Sequence, residues 1–424
     1  MRRLTGFTLG LVAFAPAAFA QQAPKPPTVA AETALAQRVV SEGRVPGIVI
    51  VTGRGEGTAT VVAQGRIADA QSAHKADADS LWRVYSMTKP ITGIAAMILI
   101  EQGKLKLDQP ISDFIPAFKE MKVLVDPAKD LTTRPATRPI TVRNLLTHTA
   151  GLGYNIITKG PLLDEYSRLG INPAQVNAQM EVQMAAARPN SLEEFANRTA
   201  TLPLIADPGA KWSYSIGLDI LGRVIEVASG MPFDQFVNTR IFAPLKMTES
   251  YWTVPADKVA NFADNYALLA DRRVPADPAA TSVYLHKPEF PYGGAGLVMS
   301  ARDYDRFLHM LLNGGTLDGA RILKPETVKL AMSDLLPAGV DKSLLQEMTK
   351  DSDVSMGFGA GGSVYLADRP GGPGKGTYGW AGAAGSIGWV DPIHKLRATV
   401  MINLFGDTPI KREASQAIYA DLAK

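Results

Sequence analysis

Apolar residues gather in short β-branched runs at the two ends of the chain and recur with helical spacing between them. Residues 47–52 read GIVIVT, followed by a glycine-rich turn at Gly53, Gly55 and Gly57 and a second apolar run over 58–63. That pattern predicts a β-hairpin. Near the other end, residues 386–390 and 396–404 form two more strand candidates around a turn at Asp391-Pro392. In the middle, Ile91, Ile94, Ala95 and Ile98 fall at i, i+3, i+4 and i+7, and Gly103 marks the stop. Leu218, Leu221, Ile225 and Ala228 repeat the spacing and end at Gly230 and Pro232; a third helix is predicted over 303–312, ending at Gly314-Gly315.

Strands at both termini with helices between them predict an α/β fold: an antiparallel sheet built from N- and C-terminal strands and flanked by helices, with a mostly helical second subdomain. The partition expected is 31–110 with 285–424 for the sheet and 111–284 for the helical part. Residues 119–139, rich in proline and charge, are read as a long loop.

Composition narrows the class. The 424 residues are 46% hydrophobic and 20% charged, enough for a large core and too apolar for a disordered chain. Net charge is +3 with no Lys/Arg run, so nothing points to a nucleic-acid partner. Cysteine is absent, which excludes disulfides, thiolate nucleophiles and zinc–thiolate or iron–sulfur sites. The first twenty residues read as a cleavable signal peptide: Arg2 and Arg3, an apolar stretch over 4–14, and Ala18-Phe19-Ala20 before the cut. Residues 21–30 are expected to be a disordered leader. A secreted or periplasmic protein without stable membrane insertion follows, since no later run reaches the length of a membrane span.

The chemistry is first bounded by absences. There is no G-x-S-x-G elbow and no Walker-type loop. The five histidines show no paired ligand spacing, so a protein-bound catalytic metal is not expected; no cofactor is expected either. What remains is S-x-x-K, twice. Ser72 to Lys75 lies in a polar stretch with no apolar helix after it. Ser86 to Lys89 lies at the head of the Ile91 helix, where Pro90 fits only the first turn. Residues three apart share a helix face, so an amine would sit one turn below the Ser86 hydroxyl. Ser86 could equally be an ordinary helix cap. Tyr214-Ser215, just before the Leu218 helix, could be packing. The small-residue strand Trp380-Ala381-Gly382-Ala383 could be a tight sheet edge or a backbone donor for a reacting carbonyl.

Taken jointly, Ser86-x-x-Lys89, Tyr214-Ser215 and Trp380-Ala381-Gly382 resemble the serine β-lactamase and penicillin-binding superfamily, most nearly class C β-lactamases and family VIII carboxylesterases. Residues 144–152, 222–226 and 293–297 carry the same likeness, which spans nearly the whole chain from about residue 31. The resemblance implies that Ser86 becomes acylated, that Lys89 and Tyr214 share the proton transfers, and that the backbone N–H groups of Ser86 and Ala383 form the oxyanion hole. It also places Trp380, Ala381, Gly382 and Ile216 against substrate. The chain departs from the β-lactamase pattern where Trp380 replaces the lysine of K-T-G and Ile216 replaces the asparagine of Y-x-N. Both changes remove polar recognition of anionic substrates. Lys375-Gly376-Thr377 has the letters of K-T-G in another order and is set aside. The function expected is hydrolysis of small, short-chain carboxylic esters, with weak β-lactam turnover as a side activity. A β-lactamase, a D-aminopeptidase or another amide hydrolase is the alternative, and an inactive cell-wall-binding relative is a further one.

Overall fold

A computed structural model describes Met1 and residues 28–270, 272–406 and 409–423. The expected signal segment, apart from Met1, and residues 21–27 of the expected leader lie outside the described residues. From Ala30 the chain is already helical, in the helix Ala30–Ser41.

The backbone of the molecule is a seven-stranded antiparallel sheet. Its strand order is Met356–Phe358, Ser363–Tyr365, Tyr378–Ala381, Ile387–Asp391, Leu396–Met401, Gly47–Arg54, Thr60–Gly65. The two terminal hairpins therefore meet in one sheet, with Val49 opposite Met401 and Arg54 opposite Leu396. The GIVIVT run is buried on both faces because side chains alternate across a strand. Ile48 and Ile50 pack with Leu35, Val39 and Ile418, beneath the helices Ala30–Ser41 and Ile410–Leu422. Val49 and Val51 belong to the other core, with Ile94 and Phe307 from the helices Thr88–Glu101 and Ala301–Leu312.

Further helices build the layer around Thr88–Glu101. Gly217–Ser229 packs on it, and carries Val142–Leu146, Leu192–Ala200 and Phe233–Val237 on its other sides. Gly230 closes Gly217–Ser229 in the left-handed conformation (φ 71°), the geometry the stop signal required. Among the described residues no helix is long and apolar enough to cross a membrane.

Two expectations need correction. The strand read over 396–404 is two strands: Leu396–Met401 stays in the central sheet, while Leu404–Phe405 leaves it and pairs in parallel with Asn265–Leu269. The change of partner follows from hydrogen bonding, because the Leu404 N–H is taken by the Ala384 carbonyl at 2.8 Å. The 119–139 segment is not all loop either. It contains a hairpin of Lys122–Leu124 with Thr133–Pro135, docked through the Leu124 N–H on the Leu204 carbonyl and the Leu204 N–H on that of Lys122. Burial of Val123 and Leu124 outweighs the prolines around them.

Candidate active site

Ser86 sits on a single 3-10 turn, Tyr85–Met87, that runs directly into the helix Thr88–Glu101, with Pro90 in the first turn as the sequence required. The residue before it, Tyr85, has φ +40°. A bulky side chain in the left-handed region costs on the order of 1–2 kcal/mol. Three residues upstream of Ser86, Arg83 anchors the approach. It is fully buried, and its guanidinium donates to the Asp277 carboxylate at 2.8 Å, the Asp277 and Ala263 carbonyls and the Ser282 hydroxyl.

Lys89 lies one helical turn below Ser86, wholly buried. Its Nζ is 3.2 Å from Ser86 Oγ and donates to the Gly294 carbonyl at 2.8 Å. The ring of Tyr214 faces the same nitrogen at 4.7 Å. Tyr214 reaches Ser86 from the turn before Gly217–Ser229 and donates its hydroxyl to Ser86 Oγ at 2.8 Å. The Ser86 oxygen thus faces an amine and a phenol at hydrogen-bond distance, the arrangement needed to pass its proton.

The third segment closes the site. Trp380, half-buried on Tyr378–Ala381, donates its indole N–H to the Tyr214 hydroxyl at 3.3 Å. Ala381 is half-buried beside it. Gly382 lies against the chain leading to Ser86: a Cβ there would be 2.4 Å from the Val84 carbonyl oxygen. Ala383, the next residue, is exposed. Among the described residues the N–H groups of Ser86 and Ala383 donate to no protein acceptor, whereas the neighbouring Gly382 N–H is used by the Ser386 carbonyl.

Ile216 is placed differently. It flanks the start of Gly217–Ser229 with its side chain fully buried, so it presents no surface to a bound molecule. Ser72 and Lys75 are both exposed in a turn region. Lys375 lines a cavity of about 1020 Å³ shared with Leu311, Val328 and Val364, to which none of Ser86, Lys89, Tyr214 or Trp380 contributes.

Two groups of the site were not singled out from the sequence. Asp219, in the first turn of Gly217–Ser229, is fully buried; burial pushes its carboxyl up to about 7, against the opposing pull of the Lys89 charge. It accepts the Gly294 N–H at 2.8 Å, and so anchors the residue whose carbonyl holds Lys89. The available signal was an acid in the first turn of that helix, next to its apolar residues Leu218 and Ile220 and five residues after Tyr214. His148, which lies in the 144–152 stretch of family likeness but was given no role there, is fully buried with its ring 4.8 Å from that of Tyr214. Its Nδ1 accepts the Ser215 N–H at 3.1 Å, and burial with the nearby Lys89 charge drives its pKa well down, so the ring is neutral. No three His, Asp or Glu side chains converge among the described residues to hold a metal.

The Beta-lactamase family model matches residues 31–422. This chain belongs to the Beta-lactamase family. Protein Rv1367c of Mycobacterium tuberculosis is 35% identical over 352 residues, covering 82% of this chain and 83% of its own length. Esterase EstB of Burkholderia gladioli is 29% identical over 388 residues, 87% and 89% of the two chains. Among solved structures, EstCE1, described as a hydrolase with promiscuous acyltransferase activity, superimposes with a TM-score of 0.73 at 26% identity, covering 94% of this chain and all of that one. The serine β-lactamase and penicillin-binding resemblance and the expected fold hold. Membership of this Beta-lactamase family with such relatives supports an enzyme of the hydrolase or acyl-transferase type, working through acyl-enzyme chemistry.

Proposed function

We propose that the protein hydrolyses small carboxylic esters with short, uncharged acyl groups through an ester formed on Ser86. The observation that carries this reading is the position of Trp380. It occupies the place where the β-lactamase pattern has a lysine, and its indole faces Tyr214 and Phe358 at ring distances of 5.7 and 5.3 Å. A cleft wall of indole where a cation would stand favours neutral over carboxylate-bearing substrates.

The steps follow from the geometry. Ser86 Oγ attacks the ester carbonyl as its proton passes to the Lys89–Tyr214 pair. The negative charge that develops on the carbonyl oxygen is held by the Ser86 and Ala383 N–H groups, each worth about 3–4 kcal/mol when such a donor is lost. The same pair returns the proton to the departing alcohol. Water then attacks the acyl group, giving up a proton to the pair, which passes it to Ser86 Oγ as the bond to the acyl group breaks and the carboxylic acid leaves. Asp219 and the Gly294 carbonyl hold the Lys89 amine in place throughout.

A second outcome, transfer of the acyl group to an alcohol in place of water, is favoured by the likeness to EstCE1. The signal segment supports export, with Gln21 as the first residue of the mature chain; N-terminal sequencing of the exported protein tests this. The function is tested by comparing p-nitrophenyl esters of rising chain length with benzylpenicillin on one purified sample, then repeating the ester assay with an added alcohol. Penicillin turnover equal to ester turnover would overturn the ester assignment in favour of an amide hydrolase. Undiminished ester hydrolysis in Ser86→Ala would remove Ser86 as the nucleophile.

A further inference from the structure

The two N–H groups assigned to the oxyanion hole come from segments far apart in sequence, and the short strand Leu404–Phe405 touches both. On one side, the Leu404 N–H donates to the carbonyl of Ala384, the residue after Ala383, at 2.8 Å. On the other, the Phe405 ring lies 5.1 Å from that of Tyr85, the residue before Ser86. The strand that pairs with Leu404–Phe405 completes the hold: Asn265, at its start, donates from Nδ2 to the Tyr85 hydroxyl at 3.0 Å. Tyr284 meets the Tyr85 ring edge-on at 6.2 Å.

Tyr85 needs such a hold. Its φ of +40° persists only where the surroundings over-determine it, and its backbone conformation sets the direction of the Ser86 N–H. Asn265 is fully buried and its donor is spent on the Tyr85 hydroxyl, whereas Phe405 is only half-buried and packs at the rim of its cluster. The ring of Phe405 therefore contributes less to core volume than to the placement of Tyr85.

We propose that Phe405 and Asn265 are positioning residues that set the spacing of the oxyanion hole, acting through Tyr85 and Ala384 without touching substrate. The proposal rests on the Ser86 acyl-enzyme reading. One rigid strand pair fixes both donors, so their separation does not depend on two independent loops. Loss of the clamp lets Tyr85 relax and turns the Ser86 N–H away from the position the transition-state oxygen takes. The ester ground state, which draws less on these donors, is little affected.

The test uses the mature protein, p-nitrophenyl acetate as substrate and phenylboronic acid as a tetrahedral probe of the hole. Phe405→Ala is expected to lower kcat about 10- to 100-fold with KM within about 2-fold, and to raise the boronate Ki by a similar factor to the kcat loss. Phe405→Tyr, which keeps the ring, restores kcat to within about 3-fold of the parent, a rescue expected of placement. Tyr85→Phe, which removes only the oxygen Asn265 holds, lowers kcat about 3- to 10-fold and carries the test if Phe405→Ala fails to fold. An unchanged kcat in a folded Phe405→Ala that merely melts at lower temperature overturns the proposal, as does an unchanged kcat in Tyr85→Phe. Ser86→Ala is run beside them: its full activity would sink the acyl-enzyme reading itself, while an inactive Ser86→Ala beside an intact Phe405→Ala sinks only the clamp.

Discussion

The indole N–H of Trp380 and the hydroxyl of Tyr214 are 3.3 Å apart, and that same hydroxyl donates to Ser86 Oγ at 2.8 Å. Trp380 is thus part of the hydrogen-bond chain that orients the phenol. A neutral hydrogen bond of this kind contributes about 0.5–1.5 kcal/mol, so Trp380→Phe should lower kcat about 2- to 10-fold. In a Tyr214→Phe background the same change should cost nothing further, because its partner is gone. Steady-state kinetics of the two single variants and the double variant check this, and full additivity would refute the link.

Gly382→Ala should damage turnover more than its size suggests. The added carbon would lie 2.4 Å from the Val84 carbonyl oxygen and 2.5 Å from Ser386 Oγ, so the strand must move away from Ser86. The Ala383 N–H moves with it. A loss of about 100-fold in kcat is expected, with a smaller change in KM, measured on protein whose circular dichroism spectrum matches the parent.

Arg83 makes its contribution through stability. Its ion pair with Asp277 is buried on both sides, with side-chain exposures of 0% and 1%. Removing one partner strands the other charge, which typically costs about 3–5 kcal/mol. Arg83→Ala should therefore shift the urea midpoint strongly downward. Arg83→Lys should not restore it, since one ammonium cannot replace a fork that reaches four acceptors.

Stability should also carry a pH signature from Glu32. Burial pushes its carboxyl up to about 7, the neighbouring Asp421 charge adds to that, and the Thr52 hydroxyl bond at 2.9 Å opposes it. The folded state then holds this proton more tightly than the unfolded chain, whose carboxyl titrates near the usual value of 4.5. Its penalty is absent below that value, grows as pH rises, and is complete above about 7. Glu32→Gln keeps an acceptor for Thr52 and has no proton to lose. Its Tm relative to the parent should rise from about pH 5 and level off above about pH 7; a difference independent of pH would contradict the buried-acid account.

The helices at 88–101, 217–229 and 301–312 were legible because their apolar spacing and their stop signals agree, and local rules suffice when both do. The hairpin at Lys122–Leu124 was not, because its docking partner, Leu204, is far along the chain and proline content argued for loop. The break between Leu396–Met401 and Leu404–Phe405 was hidden for the same reason: it is decided by where the Leu404 N–H finds an acceptor. Ile216 was read as a contact residue by its place in a motif, yet its side chain turns into the core. Asp219 went unnoticed since its importance lies in burial beside Lys89, which no spacing reveals.

The sequence by itself determined the pairing of Ser86 with Lys89. Three residues at the start of a helix fix a shared face through backbone geometry alone, and Pro90 fixes where that helix begins. Everything that makes the pair reactive was decided by tertiary structure. Tyr214 stands 128 residues away and Trp380 another 166 beyond it, so the Tyr214 hydroxyl meets Ser86, and the Trp380 indole meets that hydroxyl, only because sheet and helices pack in one register. The Ser86 and Ala383 amides proposed for the oxyanion hole are further apart still, and their segments are brought together by the Gly382–Val84 contact. The physical reason is reach: hydrogen-bonded backbone geometry extends over one turn, whereas contacts across hundreds of residues are set by which apolar faces close over one another.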